Sequence, residues 1–380
     1  MLFISLSGRQ PGRKDGKMMK KTIAVLFGGC SPEYPVSLQS AYAVLTSVDA
    51  ERYEVIPVGI TREGEWFRFL GKPEDILTDE WSVRPAFLRK VYFVPDRSLH
   101  GFLEEHGGWE TNRHEDSRNR NERRVKKVPV DAVFPVLHGK NGEDGTVQGL
   151  LELAGIPVVG CGMEASALCM DKYRAHLLVS CAGIPVPRSV LLSGRPQEAE
   201  LIRAAEGLGW PLFVKPLRAG SSFGITRAGK QEELADAVRK AFEYDSEVLI
   251  EEYVDGFEVG CAVLGTDRLT VGRVDEIELS EGFFDYTEKY TLKTSRIHMP
   301  ARISPETESR IQECAKAIYR ILGCSGFARV DLFLRPDGTI LFNEVNTIPG
   351  FTAHSRYPGM MRGAGISFAE LVDRLISQEV

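Results

Sequence analysis

The chain has 380 residues, 43% of them hydrophobic and 26% charged, an ordinary globular composition long enough for two or three lobes. Its formal net charge of -6 excludes a general nucleic-acid binder, which carries a basic surplus. No apolar run reaches the roughly 18 residues a membrane helix needs, so no membrane association is expected.

In chain order, residues 1–20 open on the short apolar run Met1-Leu-Phe-Ile-Ser-Leu6, followed by Gly, Arg and Lys. A signal peptide places its charge before its apolar core, so this stretch reads as a disordered extension upstream of a start at Met18 or Met19. Thr22-Ile-Ala-Val-Leu-Phe27 predicts a buried parallel strand. Gly28-Gly29 ends it, Ser31-Pro-Glu33 opens a helix running toward Val48, and a second strand follows over 53–60. This order predicts an open α/β lobe over 21–164, with its ligand near the carboxyl ends of the strands. Residues 108–127 are strongly charged and read as a solvated insertion. The sheet resumes over 130–137 and runs into His138-Gly-Lys-Asn-Gly-Glu-Asp-Gly145.

A central lobe is expected over 165–254, with helices at 170–182 and 231–243, strands at 212–216 and 248–253, and a Gly/Ser loop at 218–224. The last lobe, 255–380, is expected to hold strands at 258–264 and 269–279 and an excursion at 280–297. A helix at 305–322, a hairpin of 327–334 with 339–346, and a terminal helix at 368–376 complete it. The seven cysteines are odd in number and scattered, with no C-x-x-C pair. They read as small core residues of a reducing, cytoplasmic compartment.

The hairpin carries the most chemistry. Residues two apart in a strand share a face, so Arg329 joins Asp331 and Glu344 joins Asn346. If the register brings those faces together, two carboxylates and a carboxamide form an oxygen set suited to Mg²⁺, with a guanidinium beside it. A bulge at the Gly338 turn would shift that register, and an edge sheet with solvated charges fits the same residues. Lys215, at a strand end before Gly220-Ser221-Ser222-Phe-Gly224, has the reach and the loop to hold phosphates, although this is no P-loop. Lys172 reads as a second cation or as a solvated helix lysine. Glu251 and Glu258 suit adenine and ribose contacts, or are plain strand-end acids. His138 and Glu33 are candidate substrate contacts, and Glu33 also suits a helix N-terminus.

In order, Phe27-Gly-Gly-Cys-Ser-Pro-Glu33, Leu137–Gly145, Met170-Asp-Lys172, Val214-Lys-Pro…Gly224, Arg329-Val-Asp331 and Asn343-Glu-Val-Asn-Thr-Ile-Pro-Gly350 resemble the D-alanine–D-alanine ligases of the ATP-grasp superfamily. The likeness runs from residue 22 to 376 apart from the charged insertion. It implies a three-lobed α/β (α+β) ATP-grasp architecture, with ATP held between the central and C-terminal lobes by Lys172, Lys215, Ser222, Glu251, Glu258 and Tyr286. It implies two Mg²⁺ ions, replaceable by Mn²⁺, on Asp331, Glu344 and Asn346. Glu33, Ser221 and Tyr290 would close the site as a hydrogen-bonded set, while Arg329 and the N–H of Gly350 would meet the oxyanion. His138, Lys289, Ser355 and Arg356 would contact the amino-acid substrates, and Gly282–Tyr290 would be a lid. The implied enzyme is a cytoplasmic homodimer that joins D-alanine to a second D-amino acid through an acyl phosphate, of the D-Ala–D-Ala type with D-Ala–D-Ser as the alternative, for peptidoglycan precursors.

Arg356 and the Phe-Phe-Asp-Tyr-Thr-Glu-Lys-Tyr stretch look most like vancomycin-resistance-type D-Ala–D-Ser ligases. Arg356 either adds polarity to the second subsite, favouring a hydroxyl-bearing acceptor, or pairs with an acid and leaves the subsite alone. Another ATP-grasp carboxylate–amine ligase would lack the His138 motif and the acid at 33. A nucleotide sensor would have lost Arg329 or a metal ligand.

Overall fold

A computed structural model of the chain describes residues 20–106, 124–194, 196–220, 223–279 and 295–380. Residues 1–19 of the extension expected over 1–20, the lid with Tyr286, Lys289 and Tyr290, and the loop serines Ser221 and Ser222 lie outside the described residues.

The first sheet has seven strands in the order β6-β5-β4-β3-β2-β1-β7. They are β1 (Lys21–Gly28), β2 (Tyr53–Ile60), β3 (Trp66–Phe69), β4 (Leu88–Phe93), β5 (Gly101–His106), β6 (Arg124–Pro129) and β7 (Ala132–Pro135). β1 is parallel to both β2 and β7, as its uninterrupted burial from Ile23 to Gly28 requires. From β2 outward the sheet is an antiparallel meander. The charged stretch read as an insertion over 108–127 therefore ends inside a strand. Lys126 lies opposite Glu104 on β5 and pairs with it at 2.9 Å, and Arg68 on β3 reaches the same carboxylate at 3.0 Å. Burial alone would raise the Glu104 carboxyl, but these two cations more than offset it and hold it low.

The second sheet, order β10-β9-β11-β8, is antiparallel: β8 (Ser189–Ser193), β9 (Leu212–Pro216), β10 (Thr226–Ala228) and β11 (Glu247–Glu252). Helices Glu198–Ala205 and Gln231–Ala241 cover one face, enclosing a small core of its own around Leu212, Val214, Val238 and Ile250.

The third sheet runs β15-β14-β12-β16-β17, with β13 beside β12. Its strands are β12 (Phe257–Leu264), β13 (Thr270–Val271), β14 (Asp275–Leu279), β15 (Ser295–His298), β16 (Phe327–Leu334) and β17 (Ile340–Asn346). The single strand expected over 269–279 is broken at Gly272. A Cβ there would lie 2.8 Å from the Cβ of Met360, so the break admits the helix Arg356–Gly363. Helix Pro305–Ile321 covers the outer face. Ser304 accepts the Thr307 N–H at its start, and Ile311, Ala315, Ile318 and Tyr319 form its apolar stripe.

The helix expected over 170–182 forms as Lys172–Cys181, and a further helix, Met163–Met170, precedes it across Asp171. That residue has extended backbone and accepts the Arg174 N–H as an N-cap. Both helices bury Ala165, Cys169, Ala175 and Val179 against the third sheet. A larger core joins Ile23, Val25, Leu38 and Val44 of the first lobe to Phe351, Tyr357, Leu371 and Leu375 from the far end of the chain. All seven cysteines are free thiols. Cys161, Cys169, Cys261 and Cys324 are buried as expected, whereas Cys30 and Cys181 are exposed.

Candidate active site

The hairpin of β16 and β17 builds the centre of the site through one irregularity. Leu332 lies opposite Phe342, but Asp331 lies opposite Glu344 and Arg329 opposite Asn346, leaving Asn343 as an extra residue. The shift falls within β17, away from the Gly338 turn. A continuous register would set Val330 opposite Glu344 and turn that acid toward the core, because opposed residues share a face. The bulge allows Ile340, Phe342 and Val345 to enter the core with Val330 and Leu332, while Glu344 and Asn346 join Arg329 and Asp331 on the other face.

Asp331 is 1% exposed. Arg329 grips it with Nε at 2.8 Å and Nη2 at 2.7 Å, and the Asn346 amide donates to its Oδ2 at 2.9 Å. Burial pulls the Arg329 guanidinium down, but Asp331 overcomes this and holds it above its ordinary value. Lys172 Nζ donates to the Ala219 carbonyl at 2.9 Å and stands 3.6 Å from Glu344. The lysine at the start of its helix is thus a buried partner of the hairpin, and the solvated reading does not apply.

Arg356 takes the acid-pairing course. Its Nε and Nη2 donate to Asp275 at 2.7 and 2.8 Å, Nη1 reaches Glu258 at 3.0 Å, and Nη2 stands 3.5 Å from Asp331. Gly260 makes the seat. It lies between Asp275 on β14 and Asp331 on β16, and a Cβ there would come within 2.5 Å of Arg356 Nη2. Ser355 precedes the same helix and accepts the Thr352 N–H at 3.0 Å, close beside Gly350.

In the second sheet Lys215 lies opposite Leu249, and its ammonium contacts the Glu251 carboxylate diagonally across the strands. The pair faces away from Val214 and Ile250, which feed the sheet's own core. Glu251 is 2% exposed and its Oε2 is buried without a hydrogen-bond donor, an acceptor suited to an amino group.

Glu33 is buried at the start of helix Tyr34–Ser47, where Pro35 in the first turn needs no N–H partner. Cβ atoms on Gly139 and Gly220 would lie 2.6 and 2.7 Å from its Oε2, so both loops close on this carboxylate. His138 is held between Ser40 Oγ at 3.1 Å and the Ile348 carbonyl at 3.0 Å, and burial pushes it down to about 4. The imidazole is neutral, so Nδ1–H donates to Ile348 and Nε2 accepts from Ser40. Both ring nitrogens have protein partners.

Sequence reasoning passed over Glu143, although it quoted the motif containing it. Burial, with Glu33 nearby, pushes its carboxyl up to about 8, and it accepts the Gly139 N–H at 3.0 Å. The folded chain holds this proton between the ordinary carboxylate range and pH 8, where the unfolded chain has lost it, so stability falls as pH rises across that window. Glu143→Gln is expected to flatten that fall, and melting curves of both proteins from pH 5 to 8.5 check it. Asp275 and Gly260 were also missed. A lone glycine inside an apolar strand was the available signal of a close approach.

The description "D-ala D-ala ligase N-terminus" matches residues 22–161, and "D-ala D-ala ligase C-terminus" matches residues 178–377. The vancomycin B-type resistance protein VanB of Enterococcus faecalis is 45% identical, over 95% of this chain and 98% of that protein. A D-alanine–D-alanine ligase of Caldicellulosiruptor bescii is 42% identical, over 95% of each. The crystal structure of the VanG D-Ala:D-Ser ligase from Enterococcus faecalis superposes with a TM-score of 0.85 at 57% identity, covering 95% of this chain and 100% of that one.

Proposed function

The chain belongs to the D-alanine–D-alanine ligase family, and from that premise we propose that it joins D-alanine to a second D-amino acid through an acyl phosphate, with ATP as the phosphoryl donor. The observation that carries this reading is the convergence of Arg329, Asp331, Glu344 and Asn346 on one face with Lys172 beside them.

A D-alanine carboxylate oxygen attacks the γ-phosphorus, and ADP departs with the electrons of the broken P–O bond. The second amine then adds to the acyl carbonyl and expels phosphate. Lys172 and Lys215 offset phosphate charge, and the orphan Oε2 of Glu251 suits the adenine amino group. Glu33 holds the first substrate's ammonium, and Arg329 with the Gly350 N–H receives the developing oxyanion. Ser221, Ser222, Tyr286 and Tyr290 keep the closing and nucleotide roles that the resemblance implies for them, and Lys289 its substrate contact.

Among the described residues no trio of His, Cys, Asp or Glu is arranged to hold a metal ion, so the magnesium reading rests on two carboxylates and an amide. They fit a hard cation. Asn346 spends its N–H₂ on Asp331, which leaves its oxygen as the atom it offers. Two Mg²⁺ ions, or Mn²⁺ in their place, would be held by Asp331, Glu344 and Asn346 and would neutralise phosphate charge.

D-Serine is the acceptor favoured by the likeness to a D-Ala:D-Ser ligase, while Arg356 is committed to Asp275 and Glu258. D-Alanine is the second reading, supported by relatives named for that activity. ADP release with D-alanine, followed by mass analysis of the product from an equal mixture of D-alanine and D-serine, tests both; no ADP release with any D-amino acid would sink the ligase reading. Arg356→Leu is expected to strand the buried Asp275 and cost about 3 kcal/mol, which Arg356→Leu/Asp275→Leu recovers. Urea unfolding of the two variants checks this pair of effects. Among the described residues no helix is long and apolar enough to cross a membrane. We place the enzyme in the cytoplasm, as a homodimer supplying peptidoglycan precursors.

A further inference from the structure

We propose that His176 is a positioning residue that holds the bulge of β17 and thereby sets Glu344 and Asn346 as a cation-binding pair facing Asp331. The inference rests on the magnesium reading given above and deepens it.

His176 follows Lys172 by four residues on helix Lys172–Cys181, so the two side chains leave the same face. Lys172 stands by Glu344, while His176 Nε2 lies 2.6 Å from the carbonyl oxygen of Asn343, the extra residue. The ring is 3% exposed and meets Phe342 edge-on at a centroid distance of 5.4 Å. One imidazole thus touches the last core residue before the bulge through its ring and the bulged residue through its N–H.

A carbonyl acceptor requires the Nε2–H form. Nδ1 is buried with no partner, which fits a neutral ring whose single proton is committed to Asn343. The outer edge of β17 otherwise has the Phe342 N–H on the Pro185 carbonyl at 2.8 Å. Together the two contacts fix the edge on either side of the point where the register shifts.

Losing the His176 donor would leave the bulge carbonyl buried and unpaired and favour the continuous register, in which Glu344 turns toward Val330 and the core. A group that orients ligands without touching the ion has a recognisable signature. Its loss weakens ion binding by about 10- to 100-fold, and a substitute donor of equal reach restores it.

The test is Mn²⁺ binding followed by electron paramagnetic resonance in the presence of ADP, with melting curves, for the full-length protein and for His176→Phe and His176→Gln. Phenylalanine keeps the ring and removes the donor, and glutamine supplies an N–H at similar reach. The expected result is Mn²⁺ binding weakened at least about 10-fold in His176→Phe and restored to within about threefold in His176→Gln. If His176→Phe does not fold, His176→Asn, too short to reach Asn343, takes its place with the same expectation. Equal Mn²⁺ affinity in all folded variants overturns the proposal while leaving the magnesium reading intact. Equal loss in the phenylalanine and glutamine variants overturns it too. Failure of the unsubstituted protein to bind Mn²⁺ overturns the magnesium reading and this inference together.

Discussion

Glu344→Gln is expected to lower kcat by about 10³-fold while leaving the fold intact. The substitution keeps shape and hydrogen-bonding capacity and removes one negative charge from the face that Asp331 and Asn346 complete. Lys172, 3.6 Å from Glu344, loses a partner but keeps the Ala219 carbonyl. The buried carboxyl of Glu143, which Glu344 helps to push up, is relieved of a repulsion. The melting temperature should therefore hold or rise slightly while turnover collapses. Because the charge is removed from the hairpin and not from Glu33 itself, KM for D-alanine should change far less than kcat. Steady-state ADP release paired with a melting curve decides it, and wild-type turnover would dismiss the hairpin as the phosphoryl-transfer centre.

Gly260→Ala is expected to be the more damaging to stability, although it adds a single methyl group to a strand. The new carbon would lie 2.5 Å from Arg356 Nη2, 2.7 Å from Asp275 Oδ1 and 2.8 Å from Met360 Cε. Backbone strands on both sides hold Gly260 in place, so the guanidinium must leave. Asp275 is fully buried, and stranding it without its cation costs about 3–5 kcal/mol. Glu258 loses its contact with Arg356 in the same step. Urea unfolding should register that loss. Unchanged stability would mean that the strands yield more readily than a close-packed sheet does.

Most of the fold was legible because its buried strands are apolar runs and its helices are amphipathic. The hairpin ranges 327–334 and 339–346 differ from Phe327–Leu334 and Ile340–Asn346 by one residue. What escaped was the outer meander of the first sheet. There, strands carry charges at positions that a single sequence assigns to solvent, and Lys126 and Arg68 find Glu104 only once the chain has folded. The acids and cations of the site were likewise visible as types, whereas their convergence depended on Asn343. A bulge inside a strand has no glycine to mark it. Its position follows from a competition between Phe342 for the core and Glu344 for the opposite face, and nothing local in the sequence states which side yields. Arg356 was open for the same reason, since its partner Asp275 lies 81 positions away in the chain.

The interior that joins Ile23, Val25 and Leu38 to Leu371, Val372 and Leu375, sealed at its edge by the Tyr53 hydroxyl on Asp373 at 3.0 Å, bears on how the protein is born. During synthesis the opening strands and their helix emerge long before the segment that roofs them. Until residues Phe368–Ser377 have emerged from the ribosome, that surface stays bare or borrowed by a chaperone. Lopping off the closing helix should therefore harm the beginning of the polypeptide more than its middle, whose small sheet carries a separate lining.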